Sequence, residues 1–248
     1  MLRVFLLVLL FGITSFAGEI RVAVAANVGY AMADLVKKFN QKNHNIKVVT
    51  ILGSSGKLYA QIKHRAPYDL FISADMKFPQ ALYDDGLSIA PPKVYAMGAL
   101  ICFSKKPQDF TKGIFVLKDK NIDKIAIANP KTAPYGIAAY EVLKNTKIYD
   151  DIKSKLVYGE SVSQTLTYVM SVADIGLVAK SSMYSTKMRK YKKGVFFFDV
   201  DSSLYNPIKQ GIVILKSAKK EDDATKFYNF ILSDDAKEIL LKYGYNIP

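Results

Sequence analysis

Five short segments of this chain carry small polar residues, four of them together with glycine: Ala25-Ala-Asn27-Val-Gly29, Gly53-Ser-Ser55-Gly56, Ser73-Ala-Asp75, Asn129-Pro-Lys-Thr-Ala-Pro-Tyr135-Gly136 and Gly159-Glu-Ser-Val162-Ser163. Glycine permits close backbone approach, while Ser and Asn place neutral donors beside main-chain N–H groups. The chemistry such segments can do is to hold an anion with hydrogen-bond donors. Any one of them also reads as an ordinary helix cap, because Ser, Asn and Asp are the usual N-cap residues. Their recurrence makes a candidate site.

Catalytic patterns are not met. Gly53-Ser-Ser-Gly-Lys57 lacks the leading glycine of a phosphate loop, having Ile51 there, and has Leu58 where Ser or Thr is needed. Gly159-Glu-Ser161-Val-Ser163 lacks the closing glycine of a hydrolase elbow. His44 and His64 stand in polar, surface-like contexts, and Cys102 lies in an apolar run that reads as a buried strand. One cysteine and two histidines are too few soft ligands for a typical structural zinc site. The expectation is a binding protein, not an enzyme, with no cofactor.

The segments fall between alternating elements. Glu19–Ala25 alternates as a strand and Ala31–Asn40 has helical spacing; Ile46–Leu52 (strand), Lys57–Lys63 (helix) and Tyr68–Ser73 (strand) follow. Strands at 99–104, 124–128, 155–158, 173–179 and 211–215 come next, with helices near 137–144 and 163–172 and a closing helical pair over 222–241. This alternation predicts an α/β fold with mainly parallel sheets flanked by helices. In such sheets ligands collect at the carboxyl ends of strands, where helix N-termini present unpaired N–H groups. The five segments sit at those ends.

The chain has 248 residues, half of them apolar, enough for two modest domains. Arg3, the apolar run Val4–Ile13 and the small-residue end at Ala17 read as a secretory signal peptide over residues 1–17. The run is about half the ~20 residues a spanning helix needs. No cysteine follows for a lipid anchor, and the expected location is the periplasm. The formal charge of +13 is spread among acidic neighbours, as in Leu117-Lys-Asp-Lys-Asn-Ile-Asp-Lys124, so it reads as a solvated surface rather than a nucleic-acid footprint.

Ala25-Ala-Asn-Val-Gly-Tyr-Ala-Met32, Gly53-Ser-Ser-Gly-Lys-Leu58 and above all Ala66-Pro-Tyr-Asp-Leu-Phe-Ile-Ser-Ala-Asp75 resemble the periplasmic molybdate-binding proteins of molybdate ABC transporters. The likeness continues through Pro134-Tyr-Gly136, Gly159-Glu-Ser-Val162, Gly176-Leu-Val178 and Lys242-Tyr-Gly-Tyr245, and so covers the mature chain in order. It implies a two-lobed type II periplasmic-binding-protein fold with the ligand cleft between lobes. Lobe 1 would be discontinuous, residues 18–98 plus 206–248, and lobe 2 would be residues 99–205. It further implies that Asn27, Ser55, Ala74, Tyr135 and Val162 surround a molybdate or tungstate anion, the metal bound only as the oxoanion with no direct protein ligand. The partner would be an inner-membrane ABC permease, and the protein a monomer.

Two departures bear on the donors. Asn27 stands where the family often has Ser, and its amide N–H₂ can still donate. Ala179 stands where the best-known members have a tyrosine that reaches the anion; Tyr135, at a position often Ala, could supply a hydroxyl in its place. Molybdate at neutral pH is a fully deprotonated dianion, so it needs donors and is repelled by carboxylates. About seven charge-assisted bonds of roughly 1.5–3 kcal/mol each would support tight binding. Asp75, the nearest acceptor, reads as a helix cap. Sulfate is likewise a donor-only guest, and a receptor for another oxoanion such as sulfate is the alternative.

Overall fold

The computed structural model describes residues 18–248; the signal peptide expected over residues 1–17 lies outside them. Two five-stranded sheets organise the chain. The first is built from β1 (Gly18–Ala25), β2 (Ile46–Gly53), β3 (Leu70–Ile72) and β4 (Lys93–Gly98), with helices α1 (Gly29–Asn40), α2 (Ser55–Lys63) and α3 (Lys77–Asp84) between them. The second holds β5 (Leu100–Phe103), β6 (Ile125–Ala128), β7 (Leu156–Gly159), β8 (Ile175–Ala179) and β9 (Phe197–Asp199), with α4 (Pro134–Asn145), the single turn α5 (Tyr149–Ile152) and α6 (Val162–Ser171). The chain then returns to the first sheet as β10 (Ile208–Ile214) and ends in α7 (Glu221–Ile231) and α8 (Asp234–Lys242).

Strand order is β2-β1-β3-β10-β4 in the first sheet and β7-β6-β8-β5-β9 in the second. Each sheet has a parallel trio, β2-β1-β3 and β7-β6-β8, made by the strand–helix–strand units that the alternation predicts. Both sheets are mixed, yet four of the five strands in each run the same way, so the expectation of mainly parallel sheets holds. β10 runs antiparallel to β3 and β4, and β5 runs antiparallel to β8 and β9. The reason is topological: β5 and β10 enter their sheets from the other one, without a crossover helix that would bring them round in parallel. Only Ala99 separates β4 from β5. The return passes Tyr205, whose hydroxyl accepts the Leu100 N–H at 3.1 Å, tying the two crossings together.

The apolar stripe of α1 explains how its turn is held. Ala31, Met32, Leu35 and Phe39 recur at helical spacing and are all buried, with Lys37 and Lys38 in the last turn. Phe39 packs edge-on against Phe227 of α7 at 5.0 Å between centroids. The first residues of α1 are thereby fixed at the carboxyl end of β1. Among the described residues no helix is long and apolar enough to cross a membrane.

Candidate functional site

The turns after β1, β2, β3, β6 and β7 meet at one small, tight cavity of about 10 Å³. Its wall takes Ala25, Ala26 and Asn27 from the first turn, Gly53, Ser54 and Ser55 from the second, and Ala74 from the third. The fourth supplies Ala133, Pro134 and Tyr135, and the fifth Ser161 and Val162. All five residues singled out in the sequence, Asn27, Ser55, Ala74, Tyr135 and Val162, lie on this wall, and none is more than 5 % exposed. The wall has no Lys, Arg, His, Asp or Glu. Organic ligands of drug size usually need roughly 300–1,000 Å³, so a space this tight excludes them. Among the described residues no group of His, Cys, Asp and Glu could hold a bare metal ion.

The donors are mainly backbone. Ser55 is the first residue of α2, Val162 the first of α6, and Tyr135 the second of α4 after Pro134. N–H groups at these positions have no acceptor within their own helix, and the helix dipoles add partial positive charge there. Ser161 caps α6, its hydroxyl accepting from Gln164 N–H at 3.3 Å, which leaves the Val162 N–H at the cavity. In the first turn Ala26 N–H goes to Gly53 and Val28 N–H to Ala25. The N–H of Asn27, between them, is without an acceptor among the described residues.

Three side-chain details differ from the sequence reading. The Asn27 amide nitrogen, expected to donate to a ligand, gives its hydrogens to Gln210 Oε1 and the Tyr245 hydroxyl, both at 2.8 Å. Its backbone N–H is therefore the group left for a guest. The Tyr135 hydroxyl lies 3.5 Å from Asn27 Nδ2 and against Gly98, where an added Cβ would come within 2.3 Å of it. It is turned toward the β4–β5 junction, so it does not take the place of the tyrosine missing at Ala179; burial also holds it far above the ordinary phenol range. The Ala74 N–H is already given to Ser55 Oγ at 2.9 Å. Ala74 thus forms wall and orients Ser55, whose own O–H proton remains to be donated.

Asp75 behaves as the cap it resembled, accepting from Ser73 Oγ at 2.9 Å and Phe78 N–H at 3.3 Å. Burial pushes its carboxyl above the usual range, with these hydrogen bonds opposing. His44 and His64 are exposed, and Cys102 is buried in β5, where desolvation raises its thiol well above normal. None of them lines the cavity.

Sequence reasoning missed the residues that tie the first turn down. Gln210 is fully buried in β10 at a bulge, accepting from Asn27 and donating to Ile208 O at 3.1 Å. Tyr245 donates to Asn27 O at 3.0 Å. A glutamine among the apolar residues of Ile208–Ile214 was the one signal that could have found them. Bonds also cross from one sheet's turns to the other's: Gly56 N–H to Thr132 O at 2.8 Å, Ser163 Oγ to Ala26 O at 3.0 Å, and Ser181 Oγ to Asn27 O at 3.0 Å. The Lys57–Glu160 ion pair at 2.7 Å crosses likewise at the rim. Gly56 is required for this approach, since a Cβ there would lie 2.8 Å from Thr132 O.

Comparison with known proteins agrees with the fold. The family model for bacterial extracellular solute-binding protein matches residues 20–246. The molybdate-binding protein ModA of Azotobacter vinelandii is 36% identical over 233 residues, covering 93% of this chain and 91% of its own length. That of Rhodobacter capsulatus is 35% identical over 231 residues, covering 92% and 88%. The solved periplasmic molybdate-binding protein of A. vinelandii superposes with a TM-score of 0.84 at 32% identity, covering 92% of this chain and 99% of its own. The sulfate-binding protein SubI of Mycobacterium tuberculosis shares the fold, with a TM-score of 0.75 at 15% identity over 93% of this chain and 87% of its own.

Proposed function

This chain belongs to the bacterial extracellular solute-binding proteins, and from that premise and its charge-free donor cavity we propose that it captures molybdate for an ABC importer. It is the periplasmic substrate-binding component, and its partner is the transporter's membrane permease. Tungstate, nearly the same size and charge, is accepted at the same place. The observation that carries the reading is the convergence of the Ser55, Tyr135 and Val162 N–H groups at three helix N-termini on a cavity without a carboxylate.

Each part has a role. The N–H groups of Asn27, Ser55, Tyr135 and Val162 and the hydroxyl of Ser55 donate to the oxoanion, and the helices hold them in place before the anion arrives. Ala74 fixes Ser55 through its own N–H. A fully deprotonated dianion satisfies every donor, whereas hydrogen phosphate brings a proton for which the wall offers no carboxylate. The first sheet, residues 18–98 and 206–248, forms one lobe and residues 99–205 the other. Anion binding draws them together, because the donors come from both and meet only when the cleft closes.

Thermal shift against molybdate, tungstate, sulfate and phosphate tests this, since a ligand that binds only the folded state raises its melting temperature. Stabilisation by the two metal oxoanions at micromolar concentration is expected. Larger stabilisation by sulfate than by molybdate would overturn the assignment in favour of a sulfate receptor.

A further inference from the structure

The β1–α1 turn is held from the opposite lobe by side chains that do not line the cavity. Ser163, on α6, donates its hydroxyl to Ala26 O at 3.0 Å. Ser181, just past β8 and 3 % exposed, donates to Asn27 O at 3.0 Å. Ala26 O also receives Gly29 N–H, and Asn27 O also receives the Tyr245 hydroxyl, so each carbonyl has two donors. All peptide bonds described are trans. In a trans peptide the C=O and the following N–H point in opposite directions. Pinning Ala26 O toward Ser163 therefore aims the Asn27 N–H the other way, at the cavity that Asn27 lines.

We infer that Ser163 and Ser181 are positioning residues for oxoanion capture: they lock the Ala26 and Asn27 carbonyls when the lobes meet, and so present the Asn27 N–H to the anion without touching it. The inference rests on the oxoanion reading of the cavity and adds to it a source of affinity outside the contact set. Both bonds span the lobes, so they exist only in the closed form. They hold the bound anion in, and do nothing for the open, ligand-free protein. Half of the clamp, Tyr245 with Gln210, comes from the same lobe as Asn27 and keeps the turn in shape while the cleft is open.

The test compares wild type with Ser163→Ala, Ser181→Ala, the double variant and Ser163→Thr, using molybdate as the probe. Three readouts are followed: the dissociation constant, the dissociation rate, and the melting temperature without ligand. Each single alanine variant is expected to bind about fivefold more weakly, the double about 25-fold, by the loss of one net hydrogen bond each. The loss should appear in the dissociation rate, with the ligand-free melting temperature unchanged, and Ser163→Thr should restore binding. Affinity within twofold of wild type in the double variant overturns the inference. So does a loss accompanied by an equal fall in ligand-free stability, which would mark the serines as merely structural. Ser163 is half-buried on a helix, so its alanine variant folds even if Ser181→Ala does not. If wild type binds molybdate and Ser55→Ala weakens it while the double variant does not, the clamp alone fails. If wild type shows no molybdate binding, the oxoanion reading fails and the clamp with it.

Discussion

Replacing Ser55 with alanine probes both halves of the donor argument. In the structure Ser55 Oγ accepts the Ala74 N–H at 2.9 Å and keeps its own proton for the anion. The substitution removes one charge-assisted donor, whose loss costs about 1.5–3 kcal/mol of binding. It also strips the acceptor from Ala74 N–H, a buried group whose orphaning costs the ligand-free protein about 1–3 kcal/mol. Bound molybdate can accept that freed N–H, which returns part of the lost binding energy. The net expectation is an affinity loss of about 1–2 kcal/mol, or roughly five- to thirtyfold, since 1.4 kcal/mol is a factor of ten. The ligand-free melting temperature should fall by several degrees, at about 2–4 °C per kcal/mol for a chain of this size. Isothermal titration with molybdate, paired with calorimetric melting of the ligand-free variant, reads both. Unchanged affinity would refute the placement of Ser55 at the anion, and unchanged ligand-free stability would refute the role of its bond with Ala74.

Tyr135→Phe should leave molybdate affinity within about threefold of wild type, because the N–H remains and the hydroxyl's contact with Asn27 is 3.5 Å long; a tenfold loss by titration would restore the hydroxyl as a ligand. Gly98→Ala should lower the melting temperature, since its Cβ would meet the Tyr135 hydroxyl at 2.3 Å and Gln210 Nε2 at 2.8 Å, an overpacking of about 1–3 kcal/mol. The Tyr135→Phe background should relieve part of that loss; equal losses in both backgrounds would count against a contact between Gly98 and the Tyr135 hydroxyl. Burial raises the Asp75 carboxyl above its ordinary value of 3.8, so the folded state holds this proton more tightly than the unfolded state and Asp75 lowers stability as pH rises through that window. Asp75→Asn should therefore raise the melting temperature at pH 7, with the gain vanishing below about pH 3.8; a gain that persists in acid would point to another cause.

The sequence was most informative where local chemistry and ligand geometry coincide. Glycine and small polar residues at strand ends identified all five turns, because those residues serve helix starts and anion donors alike. It was less informative about which atom of each residue faces the guest. Asn27 reads as a side-chain donor, but its amide is turned inward by Gln210 and Tyr245, which lie 183 and 218 positions away along the chain. Tyr135 reads as a replacement hydroxyl, yet α4 sends its phenol toward Gly98, across the crossing between sheets. Ser163 falls in the fifth segment, but neither it nor Ser181 carries a local signal of its cross-sheet bond, since a serine beside a helix start looks the same whether or not a carbonyl from the other sheet meets it. The one reversed strand in each mainly parallel sheet was not read from the sequence for a similar reason. Strand alternation reports the parallel trios, while the direction of β5 and β10 depends on where the chain crosses.

Titration calorimetry of the chain from Gly18 onward with molybdate, alone and against a hundredfold excess of sulfate or phosphate, tests the central claim most directly. The account predicts one molybdate per chain, bound at submicromolar concentration, with the heat of binding retained in the presence of either competitor. Absence of saturable binding, or its abolition by sulfate at equal concentration, would contradict it.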